Sequence, residues 1–140
     1  MELCASRVLV VEDDPLVASY LCDLLDEFGY ICALASSSSD ALWLAATHRP
    51  DIAILDIHLN GPTDGVTLAR GLRDWRGIPV IFLSGIYDDT LIAQAKLTNP
   101  ARFLHKPSRA TEIVGALEAA ALESEIPAAS GREEIEPFCR

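Results

Sequence analysis

Five polar residues at the ends of short apolar runs are the ones best placed to do chemistry. Glu12 and Asp13 follow the first run, Asp56 follows a second, Ser84 a third and Lys106 a fourth. Carboxylates can bind a divalent cation or attack phosphorus, and a hydroxyl and an ammonium can bind phosphoryl oxygens. If the runs are neighbouring parallel strands, these groups meet at the sheet edge where open parallel sheets bind ligands.

The acidic residues of this group need a cation among them. Two unit charges about 4 Å apart repel by roughly 4 kcal/mol at an effective dielectric constant near 20. Mg²⁺ prefers oxygen ligands and keeps several waters, so one or two carboxylates and a phosphoryl oxygen suit it. The residue types therefore predict Mg²⁺ as the cofactor, with the Lys106 ammonium as an opposing charge.

The elements that must position these residues alternate regularly along the chain. Uninterrupted apolar runs of this length are typical of strands buried on both faces. The predicted strands are Val8–Val11, Tyr30–Leu34, Asp51–Asp56, Pro79–Leu83 and Arg102–His105. The predicted helices are 15–28, Asp40–His48, Gly65–Trp75, Asp88–Leu97 and a last one capped by Ser108 and running to about Leu122. This alternation predicts an α/β fold with a doubly wound, five-stranded parallel sheet.

The bulk properties indicate one globular domain over about residues 6–122. Residues 123–140 hold five acids and little apolar periodicity, and we expect a flexible acidic tail there. The net charge of -10, from 21 acidic and 11 basic residues, argues against direct nucleic-acid binding. No stretch is long and apolar enough to span a bilayer, and the N-terminus lacks a signal-peptide pattern, so we expect a cytoplasmic protein without membrane contact.

The four cysteines are Cys4, Cys22, Cys32 and Cys139, and none forms a C-x-x-C pair. Cys22 and Cys32 fall within apolar patterns. We interpret them as reduced core or surface thiols rather than metal ligands.

Four short motifs in order give the sequence a specific likeness. They are V-V-E-D-D after strand one, L-D-I-H-L at the end of strand three, F-L-S-G after strand four and F-L-H-K-P after strand five. In these motifs the chain resembles the receiver domain of bacterial two-component response regulators, over about residues 6–122. The resemblance implies the flavodoxin-like strand order 2-1-3-4-5.

The resemblance also implies a role for each polar residue at the sheet edge. Asp56 would be the phosphoacceptor, Lys106 and Ser84 would bind the phosphoryl group, and Phe103 would be the switch aromatic. The expected metal ligands are the Asp13 and Asp56 carboxylates, Glu12 through water and the backbone carbonyl of His58. The Lys106–Pro107 peptide bond is expected to be cis.

The function implied is that of a single-domain response regulator. It would accept a phosphoryl group from a sensor histidine kinase or a phosphotransfer protein and lose it slowly by hydrolysis, without being an enzyme in the usual sense. The output would be a change of packing around Phe103, read by a downstream protein that the sequence does not name. Homodimerisation stays open.

Three departures from the common family pattern concern the loops. Ser84 replaces a more frequent threonine, Asn60 stands where proline is common, and Ser108 stands where phenylalanine is frequent. They leave the chemistry intact but bear on loop geometry and partner choice.

Two other functions remain open at this point. The first is an interaction module with a receiver fold that binds its partner regardless of phosphorylation. Such a module usually lacks one of the acidic or lysine positions, and all are present here. The second is a flavodoxin-like cofactor binder, which would need a phosphate-cradling loop after strand one; that loop is acidic here.

Overall fold

The computed structural model describes residues 6–59, 64–85 and 89–135, with side chains through Leu122. Five strands form one parallel sheet in the order β2-β1-β3-β4-β5, which confirms the predicted fold class. The strands are β1 (Arg7–Val11), β2 (Ile31–Ala35), β3 (Ile52–Leu55), β4 (Val80–Ser84) and β5 (Arg102–His105). The helices are α1 (Pro15–Glu27), α2 (Ser38–His48), α3 (Gly65–Arg76), α4 (Asp89–Leu97) and α5 (Ala110–Ile135).

Both faces of the sheet are covered, which explains the uninterrupted apolar strands. In β1, Val8 and Val10 pack into one core cluster with α1 and α5. The alternate residues Leu9 and Val11 pack into a second cluster with α2 and α3. Successive strand side chains point to opposite faces, so a strand covered on both sides must be apolar at every position. None of the helices in the described part of the chain combines the length and apolarity needed to cross a membrane.

The helix boundaries follow from local capping. Asp14 caps α1 by accepting from Leu16 N–H, and Asp64 caps α3 by accepting from Thr67 N–H at 2.8 Å. The predicted cap at Ser108 is wrong, because α5 begins at Ala110 and the Ser108 hydroxyl donates to the His105 carbonyl instead. Glu112 Oε1 accepts from Arg109 N–H at 2.7 Å, as in the second half of a capping box.

The last helix is longer than predicted, since α5 continues past Leu122 to Ile135. The division into a receiver domain over 6–122 and a flexible tail over 123–140 stays a prediction. Asn60 and the predicted start of the fourth helix at Asp88 lie outside the described residues.

Candidate functional site

The ends of the two central strands bring Glu12 and Asp56 side by side. In the register of β1 and β3, Val11 pairs with Leu55, and each acid follows its strand directly. Asp56 N–H donates to the Val11 carbonyl at 3.1 Å and Glu12 N–H donates to the Ala35 carbonyl at 3.0 Å. Backbone hydrogen bonds among three adjacent strands therefore hold the main chain of Glu12 and Asp56 in place at this edge.

Three carboxylates form a tight acidic cluster at this edge. Glu12, Asp13 and Asp56 each place one carboxylate oxygen in this cluster, and these three oxygens lie within 4.8 Å of one another. Glu12 and Asp56 are only 3% and 7% exposed, so water screens their charges poorly. Three oxygen donors this close together suit a hard divalent cation, and Mg²⁺ fits the donor set.

Lys106 reaches the cluster from the end of β5. Its Nζ donates to Glu12 Oε1 at 2.8 Å and to Asp56 Oδ2 at 3.2 Å. The Lys106 backbone N–H donates to the Ser84 carbonyl at 2.8 Å, which anchors the lysine to the end of β4. The Lys106–Pro107 peptide bond is cis, as expected. The ammonium thus contacts two acids at once, and the shorter contact is to Glu12.

The pKa values of Glu12 and Lys106 reflect this crowding. Burial raises the pKa of Glu12 and outweighs the hydrogen bonds that its carboxylate accepts from Lys106 and from Asp14 N–H. Burial alone would lower the pKa of Lys106, but its hydrogen bond to Glu12 and the charges of Asp56 and Glu12 raise it overall. Lys106 therefore stays cationic at neutral pH.

Gly65 approaches the Asp56 backbone more closely than any side chain would allow. A Cβ atom on Gly65 would lie 2.1 Å from the Asp56 carbonyl oxygen and 2.7 Å from Ile57 Cα. Gly65 N–H donates to the Ile57 carbonyl at 2.9 Å, so the first residue of α3 rests directly on the segment after β3. Sequence reasoning assigned Gly65 only to a helix start. The feature of the sequence that could have indicated this close contact is the glycine itself, because helix propensity disfavours glycine at a helical position.

The other predicted site residues lie around this centre. His58 N–H donates to Asp56 Oδ1 at 3.2 Å, and the His58 side chain is exposed. Ser84 ends β4 and is fully buried. Phe103 is half-buried, with its ring centroid 5.9 Å from that of Phe82 and 5.1 Å from that of His105. The ring is thus held between the core and an exposed histidine.

The comparisons with known proteins agree on one family. The family model of the response regulator receiver domain matches residues 8–118. The transcriptional regulatory protein PdtaR of Mycobacterium tuberculosis is 31% identical over 137 residues, covering 91% of this chain and 66% of that protein. The DNA-binding response regulator MtrA of Mycolicibacterium smegmatis is 30% identical, covering 85% of this chain and 52% of that protein. The chain thus spans between half and two thirds of the length of these relatives.

Solved structures give the same result for the fold. The signal receiver domain of a modulated diguanylate cyclase from Desulfovibrio desulfuricans has a TM-score of 0.84 and 33% identity, covering 88% of this chain and 98% of that one. The receiver domain of the putative response regulator NarL from Mycobacterium tuberculosis has a TM-score of 0.78 and 31% identity, covering 86% of this chain and 98% of that one. Both neighbours are receiver domains, as the four motifs predicted.

Proposed function

Because the chain belongs to the response regulator receiver domain family, we propose that Asp56 accepts a phosphoryl group in a Mg²⁺-dependent reaction. The donor is the phosphohistidine of a sensor histidine kinase or a phosphotransfer protein. The observation that carries this proposal is the acidic cluster, with Lys106 Nζ placed 3.2 Å from Asp56 Oδ2. The single-domain organisation expected from the sequence stays a prediction.

Asp56 is held in place for an attack on phosphorus. His58 N–H binds one of its carboxylate oxygens and Lys106 binds the other, so the carboxylate has a fixed orientation. A carboxylate oxygen forms the new bond to phosphorus as the bond between phosphorus and the histidine nitrogen breaks. Asp13, Asp56, the His58 carbonyl and, through water, Glu12 would hold Mg²⁺, which would supply positive charge opposite the cluster and the incoming phosphoryl oxygens.

Lys106 changes partners once the phosphoryl group is in place. Its ammonium would move from the Asp56 carboxylate to a phosphoryl oxygen and keep its contact with Glu12. Ser84 would donate its hydroxyl to another phosphoryl oxygen. Because Ser84 is fully buried, we expect this contact to form through a shift of Ser84 at the end of β4.

The shift at Ser84 reaches the protein surface through Phe103. Ser84 pairs with His105 in the register of β4 and β5, and the His105 ring contacts that of Phe103. We expect Phe103 to turn inward, which repacks the face formed by α4, β5 and α5. A downstream protein would read that face, so a local change in charge biases a packed element with two states.

The direct test is phosphoryl incorporation by the wild-type chain. With acetyl phosphate and Mg²⁺, intact-mass spectrometry should show one added phosphoryl group that is stable in acid and labile in base. EDTA should reduce incorporation to background, because the acidic cluster then repels the anionic donor, and excess Mg²⁺ should restore it. Equal incorporation with and without EDTA would contradict the proposed metal dependence, and none in either case would contradict the phosphoacceptor.

Replacing Lys106 by methionine should affect stability and Mg²⁺ affinity in opposite directions. The free energy of unfolding in metal-free buffer should fall by about 1–3 kcal/mol, because Glu12 and Asp56 lose their cationic partner. This is below the roughly 3–5 kcal/mol of a fully buried pair, since the lysine side chain is 25% exposed. Mg²⁺ should bind about tenfold more tightly, because one positive charge leaves the cluster.

Urea unfolding with and without Mg²⁺, together with calorimetric titration, measures both effects. Lys96→Met is the matched control, since Lys96 is the other lysine of the chain and lies in α4, with its Nζ 5.8 Å from the centre of the Phe103 ring. It should leave Mg²⁺ affinity unchanged. An unchanged affinity in Lys106→Met as well would mean that Lys106 does not balance the charge of the acidic cluster.

A further inference from the structure

Two cysteine thiols lie in contact between α1 and the edge strand β2. Cys32 packs against the core cluster that contains Leu21 and Leu25 of α1, so its side chain points to the α1 face of the sheet. Cys22 follows Leu21 and precedes Leu25 by three residues, which places it at the border of the buried face of α1. The two thiols are hydrogen-bonded to each other, and both residues are partly exposed.

The surroundings disfavour the thiolate form of Cys32. Burial raises the pKa of the Cys32 thiol, and the hydrogen bond with Cys22 and the charge of Asp26 add to this effect. The thiolate is the nucleophilic form of cysteine, so the raised pKa makes Cys32 a poor attacking group. Among the described residues, the one group of three or more His, Cys, Asp or Glu side chains close enough to share a metal ion is Glu12, Asp13 and Asp56, and neither thiol belongs to it.

We propose that Cys22 and Cys32 are a redox modification site, at which a hydroperoxide produces a reversible disulfide between α1 and β2. The Cys22 sulfur attacks the terminal peroxide oxygen; a sulfur–oxygen bond forms, the oxygen–oxygen bond breaks, and the remainder leaves with the thiol proton as water or an alcohol. The Cys32 sulfur then attacks the Cys22 sulfenic sulfur. The sulfur–sulfur bond forms, the sulfur–oxygen bond breaks, and the hydroxyl leaves as water with the Cys32 proton. Two thiols are oxidised and one peroxide is reduced.

The modification would lie apart from the acidic cluster. Cys32 pairs with Val8 near the start of β1, whereas Glu12 follows Val11 at the other end of that strand. At about 3.3 Å per residue, the four residue steps from Val8 to Glu12 separate the two levels by about 13 Å. We therefore expect the disulfide to raise thermal stability by restricting the unfolded chain and to leave phosphoryl acceptance unchanged.

The test uses the full chain with Cys4→Ser and Cys139→Ser, which leaves Cys22 and Cys32 as its only thiols. After a modest excess of hydrogen peroxide, maleimide labelling and intact mass should show both thiols lost and two hydrogen atoms removed. Proteolysis should release one peptide pair joined through Cys22 and Cys32, and a small dithiol should restore both thiols. The oxidised form should melt at a temperature several degrees higher than the reduced form.

The single-cysteine variants separate this reaction from general oxidation. In Cys22→Ser, the Cys32 thiol should stay open to maleimide, and in Cys32→Ser a sulfenic acid should be trapped on Cys22 by dimedone. Oxidised protein that keeps both thiols labelled, or that forms only crosslinks between chains, would overturn the proposal. If a serine variant fails to fold, proteolysis of the oxidised wild-type chain should still release the peptide pair joined through Cys22 and Cys32.

Discussion

Replacing Asp56 by asparagine should reduce phosphoryl incorporation from one group per chain to background. Asparagine keeps the shape of the side chain, and its amide oxygen can still accept from His58 N–H or from Lys106. What it lacks is the anionic oxygen that attacks phosphorus. The fold should persist, because Lys106 keeps its 2.8 Å contact with Glu12 and one charge leaves a crowded cluster. Intact-mass spectrometry after acetyl phosphate treatment measures incorporation, and urea unfolding checks that stability is equal or higher.

The matched control is Asp14→Asn. Asp14 is an acidic residue next to the cluster, but its role is structural. Asp14 caps α1 by accepting from Leu16 N–H, and asparagine caps helices about as well as aspartate. This variant should accept the phosphoryl group as the wild type does. Continued incorporation in Asp56→Asn would place the acceptor elsewhere. A downstream partner that bound wild type and Asp56→Asn equally under phosphorylating conditions would instead favour the interaction module that works regardless of phosphorylation.

The sequence was sufficient to predict the sheet and the residues that meet at its edge. Strands such as β3 are apolar at every position because both faces of the sheet are covered, and that pattern is visible without coordinates. Once the strands are parallel neighbours, the residues that follow them must share one edge. Asp56 and Lys106 are brought together by this rule, although they lie 50 positions apart in the sequence.

Contacts that depend on distances between side chains could not be predicted from the sequence. Lys106 was expected to oppose the charge of the acidic cluster, but its shorter contact with Glu12 was not, and it arises because a lysine at the end of β5 reaches past β4 and β3 to β1. The length of α5 was also underestimated. Residues 123–135 lack apolar periodicity, and the 3.6-residue pattern that marks an amphipathic helix therefore ends before the helix does.

The close approach of Gly65 to the Asp56 backbone gives the second large prediction. Gly65→Ala should lower the free energy of unfolding by about 2–4 kcal/mol, because its Cβ has no space and both neighbours are backbone atoms that cannot rotate away. If the chain relaxes, α3 or the segment at Asp56 must move by a substantial part of an ångström. A displacement of about 1 Å at a reacting group can cost roughly a hundredfold in rate, so phosphorylation of Gly65→Ala should slow by at least about tenfold.

Gly71→Ala is the control that separates crowding from helix propensity. Gly71 lies in the same helix, and a Cβ there would meet nothing within 4 Å. This change should raise the free energy of unfolding by about 0.5–1 kcal/mol, because alanine is the better helix former, and leave the phosphorylation rate unchanged. Urea unfolding of both variants tests the expected changes in the free energy of unfolding. The rate of phosphoryl incorporation tests whether only Gly65→Ala slows phosphorylation. If Gly65→Ala were as stable and as fast as Gly71→Ala, the contact between α3 and the Asp56 backbone would have no part in holding the phosphoacceptor, and the backbone hydrogen bonds of Asp56 alone would have to position it.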